Sequence, residues 1–182
     1  LGVMVMRKAI NEELPNQGHF FNTDHPTARF TPAGPDHAQI ASVNGVIDYF
    51  EAVYSHHFGD DEVSASKKTA RVRALFQHTE RRNLKPLLSF LSHHQAVRLI
   101  GRTATKHRAP TVAFTVDGRD PAEIATALAE LKIGIGNGNC YAYRLMEALG
   151  IPPEKGVVRL SFVHYTRKAE LDRLIDALDR IL

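Results

Sequence analysis

The chain has 182 residues, 43% apolar and 24% charged, which excludes a disordered tail and allows one substantial domain or two small ones. Lys and Arg number 23 against 20 Asp and Glu; the net charge of +3 is spread along the chain and leaves no nucleic-acid footprint. No apolar run approaches a membrane span, and one cysteine, Cys140, allows no intrachain disulfide, so a reducing, cytoplasmic compartment is the simplest expectation.

The opening "LGVMVMRKAI" does not read as a signal peptide. Its apolar stretch is too short, its charges follow that stretch, and no small-residue cleavage site comes next. It reads as a strand, Leu1 to Met6, and a chain that opens on a strand reads as a piece of something longer. "NEELPNQG" suggests a short helix or turn closed by Pro15 and Gly18. His19 to Pro35 is irregular, and "TPAGPDHA" must be a loop because proline removes backbone donors. Pro35 and Asp36 lead into a helix with Ile40, Val43, Ile47, Phe50 and Val53 on one face and Gly59 as its stop.

Asp60 to Glu62 suit the positive N-terminus of a second helical region. Val72, Leu75 and Phe76 give it a stripe, Pro86 breaks or restarts it, and Leu84, Leu87, Leu88 and Leu91 continue the face. "AVRLIG" is a short strand, and the basic stretch Arg98 to Arg108 reads as a solvated loop leading to the strand "PTVAFTVDG". "DPAEIATALAEL" has an Asp120 cap, Pro121 in the first turn and Glu123 close behind, with Ile124, Leu128 and Leu131 facing inward. "KIGIGNG" is a strand entering a glycine loop, and "CYAYRLMEALG" is a helix ending before Pro152 and Pro153. "GVVRLSFVHYT" is a strand, and "RKAELDRLIDALDRIL" a helix with Leu171, Leu174, Ile175, Leu178 and Ile181 on one face.

The order from about residue 95 predicts an α/β fold, an α+β two-layer sandwich of a sheet with helices packed on it. Residues 1–58 read as the tail of a larger domain and 59–182 as a small C-terminal α/β domain.

Arg159 is the first candidate for chemistry. Alternation puts Val158, Leu160 and Phe162 on one face and Arg159, Ser161 and Val163 on the other. Arg159 is either the wet face of an amphipathic strand or an anion receptor, since a guanidinium grips a carboxylate through two parallel hydrogen bonds. The loop "GIGNGNCYA" permits close backbone approach but is not a nucleotide-binding fingerprint. Cys140, read at a helix start, is either a dipole-favoured thiolate or an inert packing residue. The His56-His57 and His93-His94 pairs lack the spacing of metal ligands. His25, Asp24 and Arg29 either line a site or decorate an exposed segment.

"GVVRLSFVHY" followed by "ELDRLIDALDRIL" resembles the C-terminal end of the class V aminotransferases, especially their cysteine desulfurase-like members. "FTPAGPDHAQIASVNGVIDYF" resembles the segment closing that family's large domain. "LGVMVMRK" looks like the strand after its cofactor lysine, and "IGIGNGNCYAYRLMEALGI" like the loop and helix that carry the desulfurase cysteine. The weakest stretch is 60–110.

The resemblance implies a pyridoxal 5'-phosphate enzyme, cytoplasmic and homodimeric, acting on a small amino acid, with no nucleic-acid or membrane partner. The fragment would be the C-terminal small domain of a fold-type I enzyme plus the tail of its large domain. Arg159 then takes the substrate α-carboxylate, and Asn139 and Tyr141 line the substrate. Gly34 and His37 lie where the family's turn reaches the cofactor phosphate of a partner subunit. Gly34 stands in place of the family's threonine, Tyr141 in place of the desulfurase cysteine, with Cys140 one residue early, and Gly136 in place of its arginine. A desulfurase-like enzyme of unassigned substrate is therefore expected over a working desulfurase. No lysine from Lys8 to Lys168 sits in the context of the Schiff-base lysine, which the family carries upstream, so the chain alone is expected to be inactive. Two readings compete: a non-enzymatic α/β binding or interaction module, and a standalone carboxylate sensor using Arg159.

Overall fold

The computed structural model describes residues 3–31, 34, 36–59 and 62–182. They divide into two compact units, Leu1–Thr69 and Ala70–Leu182.

In the first unit, Val3 to Arg7 form no strand. A strand needs a neighbour for its ladder bonds, and none of the described residues here forms one; Leu1 and Gly2 lie outside the description. Helix α1 is Lys8–Glu13, and a 3-10 turn, Phe20–Asn22, opens the irregular segment. That segment is bonded to itself. Arg29 donates through its guanidinium to the carbonyls of Asn11 and Leu14, where a cation suits the negative end of α1. The Arg29 carbonyl in turn accepts from Gln17 N–H at 2.8 Å and Gly18 N–H at 2.7 Å. Arg29, unplaced in the sequence, is thus a brace of the loop.

Helix α2 is His37–Phe58, capped by Asp36, whose Oδ1 accepts from Gln39 N–H at 3.0 Å. Of its expected apolar face, Ile40 and Ile47 are exposed and Val43, Phe50 and Val53 are half-buried. The buried residue is Tyr54, with the Lys68 ammonium 5.3 Å from its ring centre.

Helix α3 is Ala65–His93 and runs through Pro86 without a break. Proline removes one donor, but Leu84, Leu87, Leu88 and Leu91 are buried on both sides of it and fix the axis. The expected acidic start is also corrected. Glu62 precedes the helix, Ser64 Oγ accepts from Lys67 N–H at 3.4 Å, and Asp60 and Asp61 lie outside the described residues.

The second unit is a four-stranded antiparallel sheet in the order β1-β2-β4-β3. Strand β1 is Val97–Ile100, β2 Thr111–Val116, β3 Gly136–Gly138 and β4 Val157–Ser161. Helix α4 is Pro121–Glu130, α5 Tyr143–Ala148 and α6 Lys168–Ile181. One sheet face presents Val112, Phe114, Val116, Val158 and Leu160, and the core is completed by the α3 leucines, Ile124 and Leu128 of α4, and Leu171, Leu174 and Leu178 of α6. Each such side chain contributes roughly 1.5–3 kcal/mol by leaving water. Asp120 caps α4 as expected, accepting from Ala122 N–H at 2.8 Å. Leu131 faces out rather than in, because α4 ends before it. The glycines expected as a loop are themselves β3, since a ladder with β4 satisfies their backbone.

Among the described residues no helix is long and apolar enough to cross a membrane.

Candidate functional site

Alternation along β4 buries Val158 and Leu160 and exposes Arg159 and Ser161 on the opposite face. Arg159 sits opposite Ala113 of β2 and Gly136 of β3. Both neighbours are small, so the guanidinium has low walls. It lies along β3: a Cβ on Gly136 would stand 3.4 Å from Arg159 Nε. Among the described residues no carboxylate pairs with Arg159 and no carbonyl accepts from it. A cation this close to its own backbone, with every donor unclaimed, can take an incoming carboxylate by two parallel hydrogen bonds.

The segment after β3 is anchored on the turn before β4. A Cβ on Gly156 would fall 2.0 Å from the carbonyl carbon of Gly138, so only glycine lets the two backbones meet. Asn139 bonds at both ends of its amide. Its Oδ1 accepts from Tyr141 N–H at 3.0 Å, and its Nδ2 donates to the Pro153 carbonyl at 3.1 Å. The next two residues are left-handed, Cys140 at φ 50° and Tyr141 at φ 61°. Such a pair is costly for residues with a Cβ and persists where surrounding bonds impose it.

Cys140 is therefore not at a helix start: α5 begins at Tyr143. Its half-buried Sγ faces the Gly138 carbonyl at 3.7 Å. Tyr141 is fully exposed at the tip of the loop.

Arg159 thus stands across from Gly136 at one end of β3, and Asn139, Cys140 and Tyr141 follow its other end, where Gly138 pairs with Val157. Gly34 and His37 belong to the first unit. Gly34 is open, with nothing within 4 Å of a built Cβ, and borders a cleft of about 660 Å³ with Thr27 and Thr31. His37 is the exposed first residue of α2. The first N–H groups of a helix have no partner within it, and Asp36 occupies that of Gln39. Ala33 and Pro35 of that turn lie outside the described residues. The sequence reading missed Gly156 and Pro153; a glycine directly after "PPEK" and before a strand is the signal that marks them.

The class-V aminotransferase family model matches residues 63–174. The chain is 28% identical over 178 residues to the aminotransferase-like protein FGM3 of Gibberella zeae, covering 96% of this chain and 41% of that protein. It is 26% identical over 192 residues to a probable cysteine desulfurase of Streptomyces coelicolor, covering 100% of this chain and 41% of that one. The chain thus spans about two fifths of the length of these curated relatives. Its fold is like that of a cysteine desulfurase from Escherichia coli, with a TM-score of 0.60 at 19% identity over 82% of this chain and 31% of that one. One from Thermococcus onnurineus gives 0.55 at 24% identity over 63% of this chain and 28% of that one. With more than half of its residues inside the family match, the chain belongs to the class-V aminotransferases.

Proposed function

We propose that this chain supplies the substrate-carboxylate arginine and part of the active-site rim of a pyridoxal-phosphate-dependent enzyme acting on a small amino acid. The observation that supports it is the exposed Arg159 guanidinium beside β3, which has no partner among the described residues. Arg159 binds and orients the α-carboxylate. Asn139 holds the loop through both ends of its amide and keeps a second N–H and a second lone pair for the substrate. The exposed Tyr141 is the other side chain offered to it.

The residues fit the cofactor in part. The α2 N-terminus with Gly34 and His37 suits its phosphate, because backbone N–H groups and the helix dipole favour an anion there. Bound there, pyridoxal phosphate supplies the electron sink for bonds at the amino acid's α-carbon. On this reading the lysine that holds it lies in the part of the enzyme that this chain does not span, and the whole enzyme is a homodimer. Sulfur abstraction is disfavoured, because the exposed loop position carries Tyr141 and the Cys140 thiol turns to a carbonyl.

The test is Arg159→Ala and Arg159→Lys in the complete enzyme. Losing a charge-assisted bidentate pair costs roughly 2–3 kcal/mol, about 30- to 150-fold in the KM for the amino acid, with lysine recovering only part. Unchanged KM in both variants removes Arg159 from the site. This chain alone, mixed with pyridoxal phosphate, should show no stable visible band; a bright one would place the lysine within it.

A further inference from the structure

The near balance of charge over the whole chain hides a segregation. Between residues 63 and 116 there are eleven Lys and Arg and one acid, Glu80, while the remaining 128 residues carry twelve cations and nineteen acids. Within the second unit, α3 exposes Arg81, Arg82 and Lys85, and the loop between β1 and β2 carries Arg102, Lys106 and Arg108. A cleft of about 450 Å³ lies between helix and loop, bordered by Arg81 and the one acid of this stretch, Glu80, on the helix side and by Arg108 on the loop side. Among the described residues none of these six cations pairs with a carboxylate.

Arg108 donates to the carbonyls of Arg102 and Thr111, which ties the loop down. Its Nε–H is buried with no acceptor. Burial also lowers its pKa, as expected of a cation losing water without gaining an anion. Arg81 and Lys85 are four residues apart on one helix, where like charges repel. Cations kept together at that cost raise the local potential and draw anionic partners.

We propose that this cleft, with Arg81 and Arg108 in its lining, and the four neighbouring cations of α3 and the β1–β2 loop form a docking surface for an acidic segment of a partner protein. Carboxylates of Asp and Glu match the guanidinium forks at the cleft. Nucleic acid fits less well. No Phe, Tyr or Trp lines the cleft itself, so bases entering it meet no stacking platform there; the exposed Tyr165 lies outside it, against His164, which stacks on Phe76 of α3.

The test uses the chain as it is, with fluorescein-labelled dodecaglutamate and an oligothymidylate of equal charge, read by anisotropy at about 0.15 M salt. Dodecaglutamate should bind more tightly than the oligothymidylate. The Arg81→Glu, Lys85→Glu double variant and the Arg102→Glu, Lys106→Glu double variant should each weaken it at least about tenfold. The Lys8→Glu, Arg144→Glu control makes the same change in net charge and should stay within about twofold. Arg81→Gln with Lys85→Gln, which introduces no new charge, should also weaken binding. Absence of binding overturns the proposal, as does equal loss in the control. Tighter binding of the oligothymidylate through the same cations overturns it in favour of a nucleic-acid surface.

Discussion

Gly156 and Gly138 meet backbone to backbone, so that a Cβ on Gly156 would stand 2.0 Å from the Gly138 carbonyl carbon and 2.2 Å from its oxygen. Their isolated parallel bridge ties the end of β3 to the residue before β4. The loop that carries Asn139, Cys140 and Tyr141 leaves from that contact.

Gly156→Ala should therefore be among the most damaging small substitutions in the second unit. The obstruction is backbone, which cannot swing away as a side-chain end would, and Gly156 also holds φ 68°. The left-handed penalty alone is about 1–2 kcal/mol, and the clash adds to it. A urea midpoint lowered by less than the equivalent of about 1 kcal/mol would show that the two backbones do not meet this closely.

Asn139 separates into two bonds by substitution. Asn139→Asp keeps an acceptor for Tyr141 N–H and loses the donor to the Pro153 carbonyl, while Asn139→Ala loses both. Each bond is worth about 1 kcal/mol. Amide exchange at Tyr141 should be slow in the parent and in the Asp variant and fast in the Ala variant. Equal exchange in all three would mean that Asn139 does not hold the loop.

Much of this second unit could be read in the sequence because its signals are local. The cap and first turn of α4, the alternation in β4 and the apolar stripe of α6 each follow from residues two to four apart. The α4 signals hold in Asp120 and Pro121, and only the last inward position, Leu131, fell past the helix end. What escaped depends on distant partners. The opening strand has no neighbour among the described residues, and Pro86 stays helical because leucines far from it in sequence hold the axis. Cys140 fell outside the expected helix because Asn139 binds the Pro153 carbonyl and Gly156 meets the Gly138 backbone, which together set the conformation of the loop. The α2 face was legible as a pattern, but what covers Ile40 and Ile47 is not a property of that pattern.

Asn83 is the buried polar side chain of the core, 3% exposed, and its Nδ2 donates to the Thr166 carbonyl at 2.8 Å. This bond pins the loop before α6 to α3. Asn83→Ala leaves a carbonyl unpaired and should cost about 1–3 kcal/mol. Asn83→Asp should cost more at neutral pH, because a carboxylate cannot donate and is buried as a charge. The two urea midpoints check the order; an Asp variant as stable as the parent would mean that Thr166 finds its donor elsewhere.

Glu170 gives a pH dependence whose sign can be worked out. Its Oε2 accepts from Arg167 N–H at 2.8 Å at the start of α6, with Arg167 Nε at 3.5 Å. The backbone hydrogen bond from Arg167 is the largest influence and holds the carboxyl below its ordinary pKa; loss of water opposes it, and the Arg167 side chain and its charge add smaller downward pulls. A carboxyl lowered on folding stabilises the folded state fully above its unfolded pKa. That contribution is lost as pH falls from the ordinary value through the lower folded one. Glu170→Gln keeps an acceptor but not the charge. The parent should therefore melt above the Gln variant at pH 7, and the gap should close as pH falls below the usual carboxylate range. Glu170 is at the surface, so the gap is small and is best read from paired thermal melts in low salt. A gap that stays constant or widens toward acid would show that the Arg167 N–H does not bind the ionised carboxylate in preference to the neutral one.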